Sequence, residues 1–172
     1  DFINNPTILS GDIGIAGDNT DNCFNIFVNI SEIIDTGDGE YYYSIDSTCV
    51  IDGFTLSDGY NSSPDWTYVG GAIYNENACP TIRNCVFKDN FCLSSFGGAI
   101  CNLNCFDDLS WGRLNIQIEN CFFYNNYARY GGAVQNQSKS HTNIKNCIFT
   151  NNSSYYAGGA LETGGITDIS NC

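Results

Sequence analysis

Basic residues are scarce in this chain. Lys and Arg number six against nineteen Asp and Glu, so the formal net charge is −13 at pH 7. Nucleic acids and anionic membrane surfaces are disfavoured as partners, because a strongly negative protein repels them. Divalent cations and basic surfaces are the partners that this charge favours.

Long apolar runs, methionine and paired-cysteine motifs are lacking as well. No window approaches the roughly 18 consecutive apolar residues that a membrane-spanning helix needs. The ten cysteines include no CxxC pair, which argues against zinc ribbons, thioredoxin-like sites and c-type haem attachment.

The single histidine, His141, has no second ligand near it in sequence, and we assign it to a loop. Because the chain begins at Asp1 and contains no Met, we expect a fragment or repeat unit of a longer chain or assembly.

What the chain does contain is a repeat. Shortened or mutated copies of Gly70 to Asn90, GGAIYNENACPTIRNCVFKDN, account for most of the chain after residue 50. The glycine doublet recurs at Gly70, Gly97, Gly131 and Gly158, at spacings of 27, 34 and 27 residues. An Ile, a variable residue and Asn-Cys follow each doublet, ending at Cys85, Cys121, Cys147 and Cys172. Such periodicity marks a solenoid, in which each turn buries its apolar face only against its neighbours.

Strand alternation assigns the inner positions of this solenoid. One aliphatic column contains Ile51, Ile82, Ile118, Ile144 and Ile169. A largely aromatic column contains Leu56, Phe87, Phe123 and Phe149. The intervening outer positions vary, as a packed tube with a solvated exterior requires.

Asparagine forms three further columns. They contain Asn84, Asn120, Asn146 and Asn171; Asn90, Asn126 and Asn152; and Asn75, Asn102 and Asn136. Amides stacked about 4.8 Å apart can bond to one another along the stack. We therefore predict asparagine ladders at the corners of the tube.

The doublets GGAI, GGAI, GGAV and GGAL alternate with the FxxN segments Phe87–Asn90, Phe123–Asn126 and Phe149–Asn152. This pattern resembles right-handed parallel β-helices, and specifically the repeats of polymorphic outer-membrane proteins. The segments NPTILSGDIG and IDGFTLSDG are similar to the opening part of large secreted microbial β-helix proteins. The resemblance implies an all-β, right-handed parallel β-helix and a surface-displayed adhesin or structural protein. It transfers no residue role.

The whole chain is interpreted as one β-helix domain of about six turns. Residues 1–59 contain degenerate turns and residues 60–172 the regular ones. Insertions around residues 60–69 and 106–113, with Trp66 and Trp111, lie between strands. No C-terminal cap is visible, because the pattern stops in mid-signature at Asn171-Cys172.

The repeat cysteines Cys85, Cys121, Cys147 and Cys172 share one inward position and should form a ladder. A spacing of about 4.8 Å between stacked residues is wide for a disulfide. Buried thiols that act as small apolar residues are the favoured interpretation, with disulfides or a metal wire as alternatives. Outside the ladder, Cys79 with Cys105 and Cys23 with Cys49 are the predicted disulfides.

Two acidic segments have the oxygen-rich composition of a calcium site. The first contains Asp12, Asp18 and Asp21, and the second contains Asp35 and Asp38. Hard cations take several carboxylate and carbonyl oxygens. Neither segment has EF-hand spacing, so a solvated turn is the competing interpretation, and Ca²⁺ is the only cofactor considered.

The two ends of the chain match each other. Joining Asn171-Cys172 to Asp1, Phe2, Ile3, Asn4 and Asn5 gives NCDFINN, which resembles the internal NCVFKDN, NCFFYNN and NCIFTNN. One interpretation is that the match is accidental or belongs to an end cut from a longer chain. The other is that subunits or tandem domains continue the stack head to tail, a contact that builds open filaments.

We favour an extracellular or cell-surface structural β-helix that stacks end to end into a fibre, sheath or stalk. The alternatives are an adhesin module that binds glycans or host surfaces and a polysaccharide lyase or hydrolase. The enzyme is disfavoured because one outward column reads Arg83, Glu119 and Lys145, with no recurring carboxylate pair.

Overall fold

The computed structural model describes residues 4–31, 33–35, 41–43, 45–62, 69–105 and 115–172. In these residues the only helical element is a 3-10 turn, Asn19–Asp21. All other regular structure is β-strand, and the strands lie in four parallel sheets and one antiparallel pair.

Successive turns of the chain pass through the four parallel sheets in the order 1 to 4, except that the first described turn has no strand in sheet 2. Sheet 1 contains β1 (Thr7–Ser10), β6 (Phe54–Ser57), β10 (Val86–Lys88), β14 (Phe122–Tyr124) and β18 (Ile148–Thr150). Sheet 2 contains β7 (Tyr60–Asn61), β11 (Phe91–Phe96), β15 (Tyr127–Tyr130) and β19 (Ser153–Ala157). Sheet 3 contains β2 (Phe27–Ile30), β8 (Ile73–Glu76), β12 (Ile100–Leu103), β16 (Val134–Asn136) and β20 (Leu161–Thr163). Sheet 4 contains β5 (Val50–Asp52), β9 (Thr81–Arg83), β13 (Ile116–Glu119), β17 (His141–Lys145) and β21 (Ile166–Ser170).

This arrangement confirms the predicted all-β parallel β-helix. The described strands form five turns, because three of the sheets have five strands. The expected six assumed about 27 residues a turn. Residues between the strands lengthen several turns, including the segment 31–49 that carries the antiparallel pair β3 (Ile33–Asp35) and β4 (Tyr41–Tyr43).

Asparagine and glycine make the corners. Asn84, Asn120, Asn146 and Asn171 all have φ of 52° to 53°, in the left-handed region. Asparagine tolerates this conformation better than most residues. The chain therefore bends between sheets 4 and 1 at the same point in successive turns.

The main core fills the tube that sheets 1, 3 and 4 enclose. Its largest fully buried side chains include Phe87, Phe123, Leu56, Ile82 and Ile118. A second, smaller core lies between sheets 2 and 3. It consists of Val69, Tyr74, Cys92, Cys101 and Ala128, with Phe96 and Leu103 at its edge. Sheet 2 thus packs on the second face of sheet 3, and sheet 3 is buried on both faces.

Candidate functional site

The columns of the repeat run through the stack in strict register. In sheet 4, Ile51 pairs with Ile82, Ile82 with Ile118, Ile118 with Ile144 and Ile144 with Ile169. In sheet 1, Leu56, Phe87, Phe123 and Phe149 pair in the same way, and Leu9 precedes them. The three phenylalanine rings stack nearly parallel, with centroids 4.8 and 4.7 Å apart.

Four cysteines form the predicted ladder beside these columns. Each thiol donates to the carbonyl oxygen two residues earlier, at 3.1 Å for Cys85, 3.2 Å for Cys121 and 3.3 Å for both Cys147 and Cys172. Burial raises the pKa of the Cys121 thiol, whereas hydrogen bonding with Cys121 lowers the pKa of Cys85 and of Cys147. The first three are buried and Cys172 is exposed. The ladder therefore consists of hydrogen-bonded thiols, three of which fill space in the core.

The two predicted disulfides are wrong, since all ten cysteines are reduced thiols. Cys105 lies in the core, where its thiol donates to the carbonyl oxygen of Ala78 at 3.1 Å and is not bonded to Cys79. Cys23 lies beside sheet 2, because its carbonyl oxygen accepts from Tyr60 N. Cys49 lies at sheet 4, where its carbonyl oxygen accepts from Thr81 N. Those two cysteines are on different sides of the tube.

Two further cysteines belong to the second core, which the sequence analysis did not identify. Cys92 pairs with Ala128 in register and faces Cys101 across this core. Burial raises the pKa of Cys92 to about 11 and raises the pKa of Cys101 as well. The signal in the sequence was the apolar Cys92 and Ala128 at one repeat position, but no pattern showed which sheet they would pack against.

The corner asparagines form a continuous ladder on the outside of the tube. Asn171 donates to Asn146, Asn146 to Asn120 and Asn120 to Asn84, at 3.1 to 3.2 Å. Asn84 in turn donates to Asp52 at 2.8 Å, so that a carboxylate ends the chain of amides. Each side-chain amide hydrogen-bonds to the amide of the neighbouring turn, and these bonds fix the register of successive turns.

A second ladder lies inside. Asn90 donates to Asn126 at 3.0 Å, and Asn126 donates to Asn152 at 2.9 Å. Each also donates to the carbonyl oxygen of sheet 1 in the preceding turn, namely of Leu56 and Phe87. These buried amides satisfy main-chain groups that the corner leaves unpaired.

The third predicted ladder is interrupted. Asn75 donates to Asn102 at 2.9 Å, but Asn102 donates to Thr142 at 3.3 Å, and Thr142 donates to Asn136 at 2.8 Å. A threonine hydroxyl therefore lies between the last two asparagines. It enters from β17, a strand whose side chains the repeat did not assign to this column.

The second glycine of each doublet lies directly under the next turn. A Cβ at Gly98 would overlap the carbonyl oxygen of Gly132, and one at Gly132 would overlap that of Gly159. At Gly159 the nearest atom is Asn152 O at 3.7 Å. The doublet is therefore required wherever another turn stacks on it.

The acidic loop before β2 does not gather all of its carboxylates. Asp18 caps the 3-10 turn, because its Oδ1 accepts from Thr20 N at 3.0 Å and from Thr20 Oγ1 at 2.6 Å. Asp12 accepts from Gly17 N at 2.9 Å and Asp21 from Ile15 N at 2.7 Å. Of the second acidic segment, Asp35 ends β3 and Asp38 lies outside the described residues.

His141 is not a loop residue. It begins β17 and is buried, with its Nε2 3.0 Å from Asp168 Oδ2 in the next turn. The assignment from sequence failed because Asp168 is 27 residues away. The pair joins β17 to β21.

The outward column of sheet 4 alternates in charge. Asp52, Arg83, Glu119 and Lys145 follow one another in register, and Arg83 Nε lies 2.9 Å from Asp52 Oδ2. Opposite charges on neighbouring strands stabilise a sheet, each pair by about 0.2–1 kcal/mol. Pairing between neighbouring strands therefore explains the alternation of charge in this column.

Aromatic rings line the outside of sheet 2. Tyr130 and Tyr156 stack with centroids 5.1 Å apart, and Tyr155 meets Tyr156 edge to face at 4.6 Å. The guanidinium of Arg129 lies 5.1 Å from the centre of the Tyr156 ring. Trp66 and Trp111, which the sequence places in the two insertions, lie outside the described residues.

An apolar stripe crosses sheet 1 on its outer face. Ile8, Thr55, Val86, Phe122 and Ile148 follow one another in register. They line a groove of about 590 Å³, into which Lys88 also projects. One side of the tube is thus apolar.

The predicted junction residues lie at the two ends of the described chain. Asn4 and Asn5 are exposed ahead of β1, and Asn171 and Cys172 are exposed after β21. Asp1, Phe2 and Ile3 lie outside the described residues. In the joined segment NCDFINN, Phe2 aligns with the phenylalanine column of sheet 1. In the first described turn, the residue in that column is Leu9, which pairs with Leu56.

These features define the chain as a parallel β-helix solenoid held together by side-chain ladders. Two stretches, residues 84–103 and 146–164, match the Chlamydia polymorphic membrane protein repeat. Each match begins at a corner asparagine and runs through the FxxN segment and the glycine doublet. The repeats thus resemble those of polymorphic outer-membrane proteins, a match that indicates a bacterial surface protein.

Comparisons with curated proteins and with solved structures find no significant match. In the described part of the chain, no helix has both the length and the apolarity to cross a bilayer.

Proposed function

We propose that this chain is a length of surface-displayed structural β-helix that extends by end-to-end stacking. The next turn comes from a second copy or from further residues of a longer polypeptide. The proposal assigns no catalytic chemistry to the chain. Its role is to form a rod that holds other parts of the assembly away from the cell surface.

The observation that carries the proposal is the unchanged layout of successive turns. The glycine, cysteine, phenylalanine and asparagine columns occupy the same positions in each regular turn. Any such turn therefore has a face that fits the next one. In a junction between copies, the columns would continue from Phe149 to Leu9 and from Leu161 to Phe27 of the next copy.

Glycine substitution at the last doublet tests this proposal. Gly159→Ala adds a methyl group whose nearest atom in the chain, Asn152 O, is 3.7 Å away, so the chain should fold, but a stacked turn would clash with that group. Gly164→Ala is the matched control, because its Cβ would meet no atom closer than 3.4 Å. We expect concentration-dependent assembly, followed by analytical ultracentrifugation, for the parent chain and Gly164→Ala but not for Gly159→Ala.

Fibre diffraction supplies the second readout. Assembled material should show an axial repeat of about 4.8 Å. A parent chain that stays monomeric at high concentration, or a Gly159→Ala chain that assembles as well as the parent, would count against stacking.

A glycan-binding adhesin is the second candidate. The observation in its favour is the exposed pair Tyr155 and Tyr156 beside Arg129. However, Tyr130 stacks on the Tyr156 ring and the guanidinium of Arg129 lies over it, so part of the aromatic surface that a sugar would use is already occupied. Binding on a glycan array that Tyr155→Ala removes and Tyr124→Ala, on sheet 1, leaves unchanged would favour this function.

A further inference from the structure

Unpaired oxygen atoms are concentrated in the loop that precedes β2. Among the described residues, six buried side-chain oxygens have no hydrogen-bond partner, and three of them belong to Asp12, Asp21 and Asn22. Of the other three, one belongs to Ser95 on β11, and two belong to Gln135 and Glu162, which pair in register on sheet 3. Unsatisfied buried oxygens are uncommon in native proteins, and a bound ion is one recognised explanation.

The main chain of the loop places the three residues next to its base, on its two arms. Cys23 N donates to Gly11 O at 2.9 Å, which closes the loop at its base. Asp12 follows this base on one arm, and Asp21 and Asn22 precede it on the other. The tip turns back between them, since Gly17 N donates to Asp12 and Ile15 N donates to Asp21. Both carboxylates therefore point into the loop.

Each carboxylate uses only one of its oxygens. Oδ2 accepts a main-chain N–H in both cases, and Oδ1 is buried without a donor. Asn22 has only 8% of its surface exposed; its Nδ2 donates to Asp58 O at 2.9 Å, and its Oδ1 has no partner. Residues 11–23 contain no Lys, Arg or His. Buried carboxylate oxygens without a cation are strongly destabilising.

We propose that this loop binds Ca²⁺ through Asp12 Oδ1, Asp21 Oδ1 and Asn22 Oδ1. Solvent or main-chain oxygens would complete the coordination, because no three Asp, Glu, His or Cys side chains in the described residues form a metal-binding group. An all-oxygen, irregular site suits Ca²⁺ better than Mg²⁺ or transition metals. With so few protein ligands, we expect a Kd of about 10⁻⁴–10⁻³ M, as in extracellular modules.

Asp18 provides a matched control within the same loop. Its carboxylate caps the turn at Thr20 and contributes no unpaired oxygen. Asp18→Asn keeps a side chain that can cap the turn. Asp12→Asn and Asp21→Asn remove a charge without changing the volume.

Calorimetric titration of the metal-free chain with Ca²⁺ tests the site. We expect the Kd to rise at least about tenfold in Asp12→Asn and Asp21→Asn, because each loses a charged ligand. Asp18→Asn should stay within about twofold of the parent. No heat up to 10 mM Ca²⁺, on the order of ten times the weakest expected Kd, would overturn the proposal, as would an equal loss in all three variants.

Thermal unfolding supplies a second test, because carboxylates that only stabilise the loop would give the same melting temperature in Ca²⁺ and in EDTA. In Ca²⁺ the parent chain should melt a few degrees higher than in EDTA. In EDTA, Asp21→Asn should be at least as stable as the parent, because it removes the negative charge beside the unpaired Oδ1 and keeps an oxygen that can accept from Ile15 N. The order of stability should reverse in Ca²⁺. A parent chain with the same melting temperature in both would overturn the proposal even if a variant failed to fold. These readouts are independent of whether the chain stacks.

Discussion

The middle turns and the last described turn share one sequence motif but differ in burial. Phe87 and Phe123 are fully buried, whereas Phe149 is partly exposed. In the isoleucine column, Ile118 is fully buried while Ile169 is 55% exposed. Burial in this fold is therefore a property of the neighbouring turns rather than of the motif.

Stacking explains the difference. A middle turn packs on a turn at each side, but the last described turn packs on one only. Each turn of a solenoid has a stability of its own and an interface with each neighbour. We expect the same substitution to have a larger effect where two interfaces are affected, and the predictions below test this.

The largest effect is expected at the glycine doublets. Gly132→Ala would place a Cβ against the main chain of Gly159 and Ser153, which cannot move without separating two turns. We expect this variant to lose the cooperative unfolding transition of the parent in far-UV circular dichroism, or to unfold at much lower denaturant. Gly159→Ala in dilute, monomeric protein should unfold like the parent. Similar transitions for the two variants would contradict the stacking argument.

The next effect concerns the phenylalanine column. Phe123→Ala should lower the free energy of unfolding by about 3–5 kcal/mol, as expected for a fully buried ring. Phe149→Ala should cost about half as much, because its ring stacks on a phenylalanine ring at one side only and is partly exposed. Urea unfolding of the monomeric variants measures both values. Equal losses would show that the last turn is as well covered as the middle ones.

A smaller effect is expected from the pH dependence of the second core. The pKa of Cys92 is raised by burial to about 11. A raised folded-state pKa stabilises the protein below the unfolded-state pKa, and this contribution is lost as pH rises from there towards the folded value. Cys92 should thus account for a loss of about 2–3 kcal/mol between pH 8.5 and 11.

The matched variant for this prediction is Cys92→Ala, because Ala128 occupies the same position one turn later. It should fold normally at pH 7 and show a shallower decline in unfolding free energy above pH 8.5. If parent and variant decline equally, the thiol is not the titrating group responsible.

The smallest effect is expected on the exposed charge column. Hydrogen bonds from Asn84 and Arg83 lower the pKa of Asp52. Their contribution is present above the unfolded-state pKa and is lost as pH falls through the folded-state value. Because the pair is well exposed, Asp52→Asn should cost less than about 1 kcal/mol in urea unfolding at pH 7. A larger loss would mean that the carboxylate is essential at the end of the asparagine ladder.

Much of the fold was predictable because its repeat is local in sequence. The doublets, the isoleucine column and the phenylalanine column recur at fixed spacings, and parallel strands in register place equal positions above one another. The main core could therefore be read from the repeat. The number of turns could not, because residues between the strands lengthen the turns without changing the motif.

The candidate sites were less predictable. The sequence does not distinguish Asp12, Asp18 and Asp21, since all three are aspartates in one loop. Their main-chain hydrogen bonds show that Asp18 caps a turn, whereas the other two carboxylates point into the loop. The partner of His141 and the threonine in the third ladder come from other turns. Cross-turn contacts of this kind depend on the relative position of turns of unequal length.

The amino-acid sequence alone determined the parallel β-helix, its inner columns and its corner asparagines, because side-chain alternation and left-handed corners are local requirements. Only the tertiary structure decided that the predicted disulfides are not formed, that sheets 2 and 3 enclose a second core around Cys92 and Cys101, and that unpaired oxygens collect beside Gly11. Each of these depends on which side of the tube a residue faces, and that is set by packing between turns.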